Sequence, residues 1–220
     1  MDRLARHLLQ RNPDTLKDAE LLELLLRFVV GETNAAALAQ RLLERWPCLA
    51  SVLEADAQEP SAVEGMTDEC AVLLRLVPEL QRRYLIARSA PETRLVDSVA
   101  FGGYLLPYFY GAKDEMVYLL SLDATGKPLS CRLIGHGSVN SANVPVRRLV
   151  QEALTANATA VVLAHNHPSG IAIPSREDID LTLRLRDALD VMDILLLDHL
   201  VIADDDFVSM SDSGYLRRAY

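Results

Sequence analysis

Four side chains in the last third of the chain, His165, His167, Ser175 and Asp178, have the types and spacing to do chemistry together. They lie in Leu163 to Asp178, LAHNHPSGIAIPSRED. Alternate residues of a strand point to one face, so His-x-His is the shortest way for a strand to present two imidazoles to one metal ion. The apolar run Ala160 to Ala164, with β-branched Val161 and Val162, predicts that strand, and Pro168-Ser169-Gly170 breaks it. Pro174-Ser175 then opens a helix, with Ser175 suited to the N-cap and Asp178 at N3 in the first turn. Two imidazoles and one carboxylate suit a single zinc ion per chain, and three protein ligands leave a fourth position for water, the mark of a catalytic site. Zinc brings the pKa of water from roughly 16 to about 7 and polarises a carbonyl. Ser175 could donate a hydrogen bond to the oxyanion of a tetrahedral intermediate. The general base must come from elsewhere in the chain. Taken singly, a buried histidine is ordinary core and Ser175 with Asp178 an ordinary capping box; the joint spacing carries the reading.

His165-x-His167, seven residues, Ser175, two residues and Asp178 resemble the H-x-H-x7-S-x2-D signature of the JAMM (MPN-plus) metalloproteases. HNHPSG followed by PSRED is similar to the RadC branch of that group, as are GSVNSANVP (Gly137 to Pro145) and LDHLVI (Leu197 to Ile202). The resemblance covers the region from about Leu95 to the C-terminus. It implies a zinc-dependent hydrolase with a cytidine-deaminase-like α/β/α fold, acting on a peptide or isopeptide bond. In that family the base is an upstream glutamate near a strand start, and Glu115, in KDEMVYLL, stands in the matching place. Its role would be to take a proton from water and pass it to the leaving amine. Glu152 and Glu177 are the rival carboxylates. The chain departs from the family at Pro145-Val146-Arg147, where relatives often have Pro-Arg-Glu.

These residues need a frame. Asp97 and Ser98 can cap a helix to about Phe109, ended by Gly111. Strands Glu115 to Leu122 and Leu129 to Gly135 flank a turn at Asp123 to Lys127, and a helix with Leu149, Val150 and Leu154 leads to the metal-site strand. After the Ser175 helix, strand Ile194 to Ile202 and a last strand, Phe207 to Met210, complete an α/β domain with a mixed sheet over 95–220. Asp198 and His199 are neighbours on a strand and must face opposite ways, so only one of them could hydrogen-bond a metal ligand. His136 stays ambiguous.

Residues 1–88 read as a separate helical domain, set off by the polar stretch Ser89 to Arg94. Its apolar stripes predict helices around Leu4 to Leu9, Asp18 to Gly31, Asn34 to Pro47, Leu49 to Ala55 and Ala71 to Leu85, with the stripes turned to a core. RadC relatives carry a helix-hairpin-helix turn there, and Glu64 to Glu69, EGMTDE, is its counterpart. It is a poor phosphate site, because Thr67 replaces the second glycine and Glu64, Asp68 and Glu69 are acidic. The whole chain of 220 residues carries −9, and neither part is basic: residues 1–90 hold 11 basic against 14 acidic side chains. This gives nucleic-acid or anionic-membrane binding weak physical support. Cys48, Cys70 and Cys131 form no C-x-x-C pair and read as reduced thiols, and with no signal peptide or membrane span the cytoplasm is expected. The resemblance implies a peptide or protein substrate as the partner, while a homo-oligomer is left open. The rival readings are a DNA repair or recombination accessory protein, the role that the RadC resemblance implies, and a metal-binding scaffold whose hydrolytic activity has lapsed.

Overall fold

The computed structural model describes residues 3–9, 15–56, 59–88, 94–137 and 144–216. Most of the expected linker and of the GSVNSANVP segment, residues 89–93 and 138–143, lies outside them. The chain divides into two compact units, Met1–Gln81 and Arg82–Tyr220, with the division falling inside a helix rather than at the polar stretch after residue 88.

The first unit holds α1 (Arg3–Leu9), α2 (Asp18–Arg45), α3 (Leu49–Glu54) and the start of α4 (Asp68–Arg88). Its core is built from Leu22, Leu26, Leu38, Leu42, Val52, Cys70 and Leu74. The two helices expected around Gly31 run as one element broken at that residue, whose φ of 76° and ψ of 169° is non-helical. Only glycine takes this conformation at low cost. The expectation that the stripes face a core needs correcting in two places. Phe28 is exposed, and so are Val72, Leu76, Leu80 and Tyr84, which share one ridge of α4 at i, i+4 spacing. A helix laid on a one-sided core buries a single ridge, and here Cys70 and Leu74 form it. At the acidic turn, Gly65 adopts φ 87°, and Arg41 donates to the Glu64 carbonyl at 2.9 Å. Asp68 and Glu69 open α4, where negative charge complements the helix dipole.

The second unit is a three-layer α/β/α sandwich. Its mixed sheet has the order β2-β1-β3-β4-β5, from β1 (Met116–Leu122), β2 (Pro128–His136), β3 (Ala160–Asn166), β4 (Leu195–Ala203) and β5 (Asp206–Ser209). Only β3 and β4 pair in parallel. α5 (Ser98–Phe109), capped by Asp97, covers one face through Phe101, Leu105 and Phe109, which meet Tyr118, Leu120, Val162, Ala164, Leu200 and Ile202. The opposite face presents Val117, Leu119, Val161 and Leu163 to α6 (Val146–Thr155) and α7 (Arg176–Asp190). Both faces of β1 and β3 are buried, which is why these strands read as continuous apolar runs. His165 shares the parity of Val161 and Leu163, so the alternation of β3 directs it at α7.

The strand edges differ slightly from expectation. β1 starts at Met116, one residue after Glu115; β2 gains one residue at each end, β3 ends at Asn166, one residue short of His167, β4 sits one residue later, and β5 sits one residue earlier.

Candidate metal centre

The centre is assembled from the carboxyl end of β3 and the first turn of α7. His165 is the penultimate residue of β3 and is fully buried. His167 follows the strand; its amide donates to the Ile202 carbonyl at 2.8 Å, which extends the β3–β4 pairing by one residue. With one residue between them the two rings come to the same side, Nε2 to Nε2 at 2.9 Å. Asp178 arrives from α7. Its Oδ1 lies 3.2 Å from His165 Nε2, and its Oδ2 lies 3.4 Å from His167 Nε2. Ligand atoms of His165, His167 and Asp178 all lie within 4.8 Å of one another.

The carboxylate is held by its own helix start. Ser175 caps α7, its hydroxyl oxygen accepting from the Asp178 amide at 3.1 Å. Asp178 Oδ2 in return accepts from the Ser175 amide at 2.8 Å and from the Ser175 hydroxyl at 2.6 Å. This is a capping box, and it fixes the rotamer that aims Asp178 at the histidines. The Ser175 proton is therefore directed at Asp178 in this arrangement.

The donor set fits a metal ion. His167 Nδ1 lies 2.9 Å from the Ile171 carbonyl, which can only accept, so Nδ1 donates there and Nε2 is the ring nitrogen turned to the cluster. His165 Nε2, His167 Nε2 and the Asp178 oxygens lie close enough together for two imidazole nitrogens and one carboxylate to hold a single metal ion. His165 is sealed from solvent while the His167 side chain keeps 20% exposure, so the open side of the centre is the His167 side.

Glu115 sits at the same end of the sheet. Val117, two residues on, is the cross-strand partner of His165. Asn166, between the two histidines, points to the other face and brackets Glu115. Its Oδ1 accepts from the Met116 amide at 2.7 Å, and its Nδ2 donates to the Asp114 carbonyl at 3.1 Å. The Gly137 amide donates to the Glu115 carbonyl at 2.9 Å. Three hydrogen bonds thus fix this backbone, and Glu115 itself is half-buried. Of the rival carboxylates, Glu177 is exposed and lines a surface groove with Arg176, Asp180 and Arg184, and Glu152 lies on α6. His136 ends β2, exposed, 3.7 Å from the Asp114 carboxylate and outside the cluster.

Residues 96–215 match the RadC-like JAB domain, and residues 1–72 match the UPF0758 N-terminal family. The chain belongs to the RadC-like JAB domain family. Relatives span both of its parts. A UPF0758 protein of Stutzerimonas stutzeri strain A1501 is 37% identical over 215 residues, covering 98% of this chain and 96% of the relative. A UPF0758 protein of Methylibium petroleiphilum is 40% identical over 210 residues, covering 95% and 94%. A third, from Aliivibrio fischeri strain MJ11, is 35% identical over 209 residues. None of these names states an activity.

Within this JAB domain two further residues reach the centre, and sequence reasoning gave neither of them a definite place. His199, on β4, puts Nε2 2.8 Å from His165 Nδ1. Thr182, one turn after Asp178, lies 2.6 Å from His199 Nδ1. Burial, reinforced by the neighbouring His165 ring, holds His199 well below the ordinary imidazole pKa, so the ring is neutral. Asp198 faces the other way. Its carboxylate accepts from the His199 and Ser211 amides at 2.7 and 2.9 Å and from the Ser209 hydroxyl at 2.6 Å. The sequence signals for His199 were its place in LDHLVI and its parity, opposite to that of its neighbour.

Proposed function

We propose that this protein is a zinc-dependent peptidase or isopeptidase of the JAMM type. The observation that carries the reading is the meeting of two imidazoles and one carboxylate within 4.8 Å, on a rigid strand end and a capped helix start. His165, His167 and Asp178 would hold the ion. When bound there, zinc would acidify a water molecule and polarise a substrate carbonyl. Glu115 would accept a proton and deliver it to the leaving amine, with its backbone held by Asn166 and Gly137. Ser175 would orient Asp178, and a turn about its Cβ–Oγ bond would aim the same proton at a developing oxyanion.

Three free thiols fit a reducing compartment, and no helix among the described residues is long and apolar enough to cross a membrane. A cytoplasmic enzyme accords with both. The substrate would be a peptide or protein approaching from the His167 side.

Metal content tests the reading. Protein purified without chelators or a metal-binding tag should carry about one zinc per chain, as one three-ligand site requires. His167→Ala should lose it and Glu115→Ala should keep it. A folded wild type without bound metal would overturn the catalytic reading. Metal in the wild type and in both variants would mean that the ligands are misassigned.

A further inference from the structure

We propose that Ile171 and Ile173 form the subsite that takes an aliphatic side chain of the substrate next to the scissile bond. This rests on the metal-centre reading above and names the class of peptide the centre would cut, one with a leucine-like residue at that place. The segment from Pro168 to Pro174 leaves the centre at His167 and returns to it at Ser175, so both of its ends are fixed there. Its middle is tied down as well. The Ile171 carbonyl meets His167 Nδ1 at 2.9 Å, which puts the Ile171 backbone directly behind the ring whose Nε2 faces the cluster. The Gly170 amide donates to the His167 carbonyl at 3.1 Å, in a turn with a φ of 76° at Gly170. A methyl group at Gly170 would lie 3.4 Å from the Asp204 carboxylate, so this turn rests against the connection from β4 to β5.

The side chains on this braced segment point the costly way. Ile171 is 57% exposed and Ile173 68%, while Ala172 between them is half-buried. That alternation belongs to extended chain, which sends residues two apart to the same side. Ile173 also precedes a proline, which favours extended backbone. Two branched aliphatics thus stand side by side on the His167 side, where the centre is open. Single exposed apolar residues are ordinary; a fixed pair at the mouth of a metal centre is a surface to be covered. Its size selects the occupant. Two side chains fall far short of the roughly 800 Å² per partner of a stable protein interface, so a second copy of the chain is a poor fit. One substrate side chain matches them, and a backbone already held in place adds little ordering cost on binding.

Two hydroxamates test the subsite, because both ligate zinc through the same pair of oxygens and differ only in their carbon chain. Acetohydroxamate and isocaprohydroxamate are titrated calorimetrically into the zinc-loaded full chain. The proteins are wild type, Ile171→Ser with Ile173→Ser, and Ile171→Leu with Ile173→Leu. Both residues are exposed and the contact to His167 is made by backbone, so neither pair of changes removes a metal ligand. Each buried methylene is worth roughly fourfold in affinity, so wild type should bind the longer probe about 10- to 50-fold more tightly. That preference should shrink to about threefold or less in the serine variant and persist in the leucine variant, with acetohydroxamate bound alike by all three. Equal affinity of wild type for the two probes, a preference that survives in the serine variant, or an equal loss in the leucine variant would each overturn the subsite while the metal centre stands. Failure of zinc-loaded wild type to bind acetohydroxamate would overturn the metal-centre reading and the subsite with it.

Discussion

Asp198 accepts three hydrogen bonds while buried, and the two facts pull its ionisation in opposite directions. Burial is the larger effect and pushes the carboxyl up, against the donors Ser209, Ser211 and His199. The folded pKa therefore lies above the value of about 3.9 in an unfolded chain. A native state that binds a proton more tightly is favoured at low pH, so this stabilisation is full below the unfolded value and is lost as pH rises through the folded one. Asp198→Asn keeps an oxygen for the two amides and cannot ionise. Urea unfolding of metal-free protein between about pH 4 and 8 should give a flatter stability profile for Asp198→Asn than for wild type, and Asp198→Ala should be the least stable of the three at every pH. The same scale shows how far single residues can be read from sequence. His165, His167, Ser175 and Asp178 were legible because they lie within one short stretch whose local geometry brings them together. Asn166, Thr182 and His199 were not, because their partners are 50, 17 and 34 residues away, and only the sheet register and the packing of α7 on the sheet make them neighbours.

Elements were more legible than contacts between elements. The runs that became β1 and β3 announced themselves because both of their faces are covered, and the break in α2 because Gly31 stood between two apolar stripes. The approach of α5 to β5 left no comparable sign. A methyl group at Gly102 would lie 2.1 Å from the Phe207 ring, so the aromatic side chain rests on the bare backbone of the helix. Gly102→Ala must push one of them aside. A loss of about 1 to 3 kcal/mol is expected from such overpacking, even though alanine favours helices. Thermal unfolding should show the loss, and Phe207→Leu in the same chain should recover part of it. Independent, additive losses in the double variant would mean that the two residues do not meet.

On the scale of the whole molecule, charge decides more than fold. The net charge of −9 is spread over the sequence, and the one arginine at the acidic turn, Arg41, is engaged with Glu64. Binding to DNA draws on phosphate neutralisation by lysine and arginine and on the release of counterions. In fluorescence anisotropy at roughly 50 mM salt, the full chain should show no saturable binding to single-stranded or branched DNA at concentrations up to about 10 μM, well inside the range of about 1 to 100 μM in which non-specific DNA binders saturate. Saturable binding that weakens steeply with salt would instead favour a DNA-accessory role.

Asp178 is both a candidate ligand and the residue that closes the cap of α7. Opening of that first turn withdraws a ligand, so under the metal reading helix fraying and metal departure are one event. The residence time of the ion would then follow how often a helix end opens as much as the strength of any single coordination bond, and a stiffer cap would make a slower exchange.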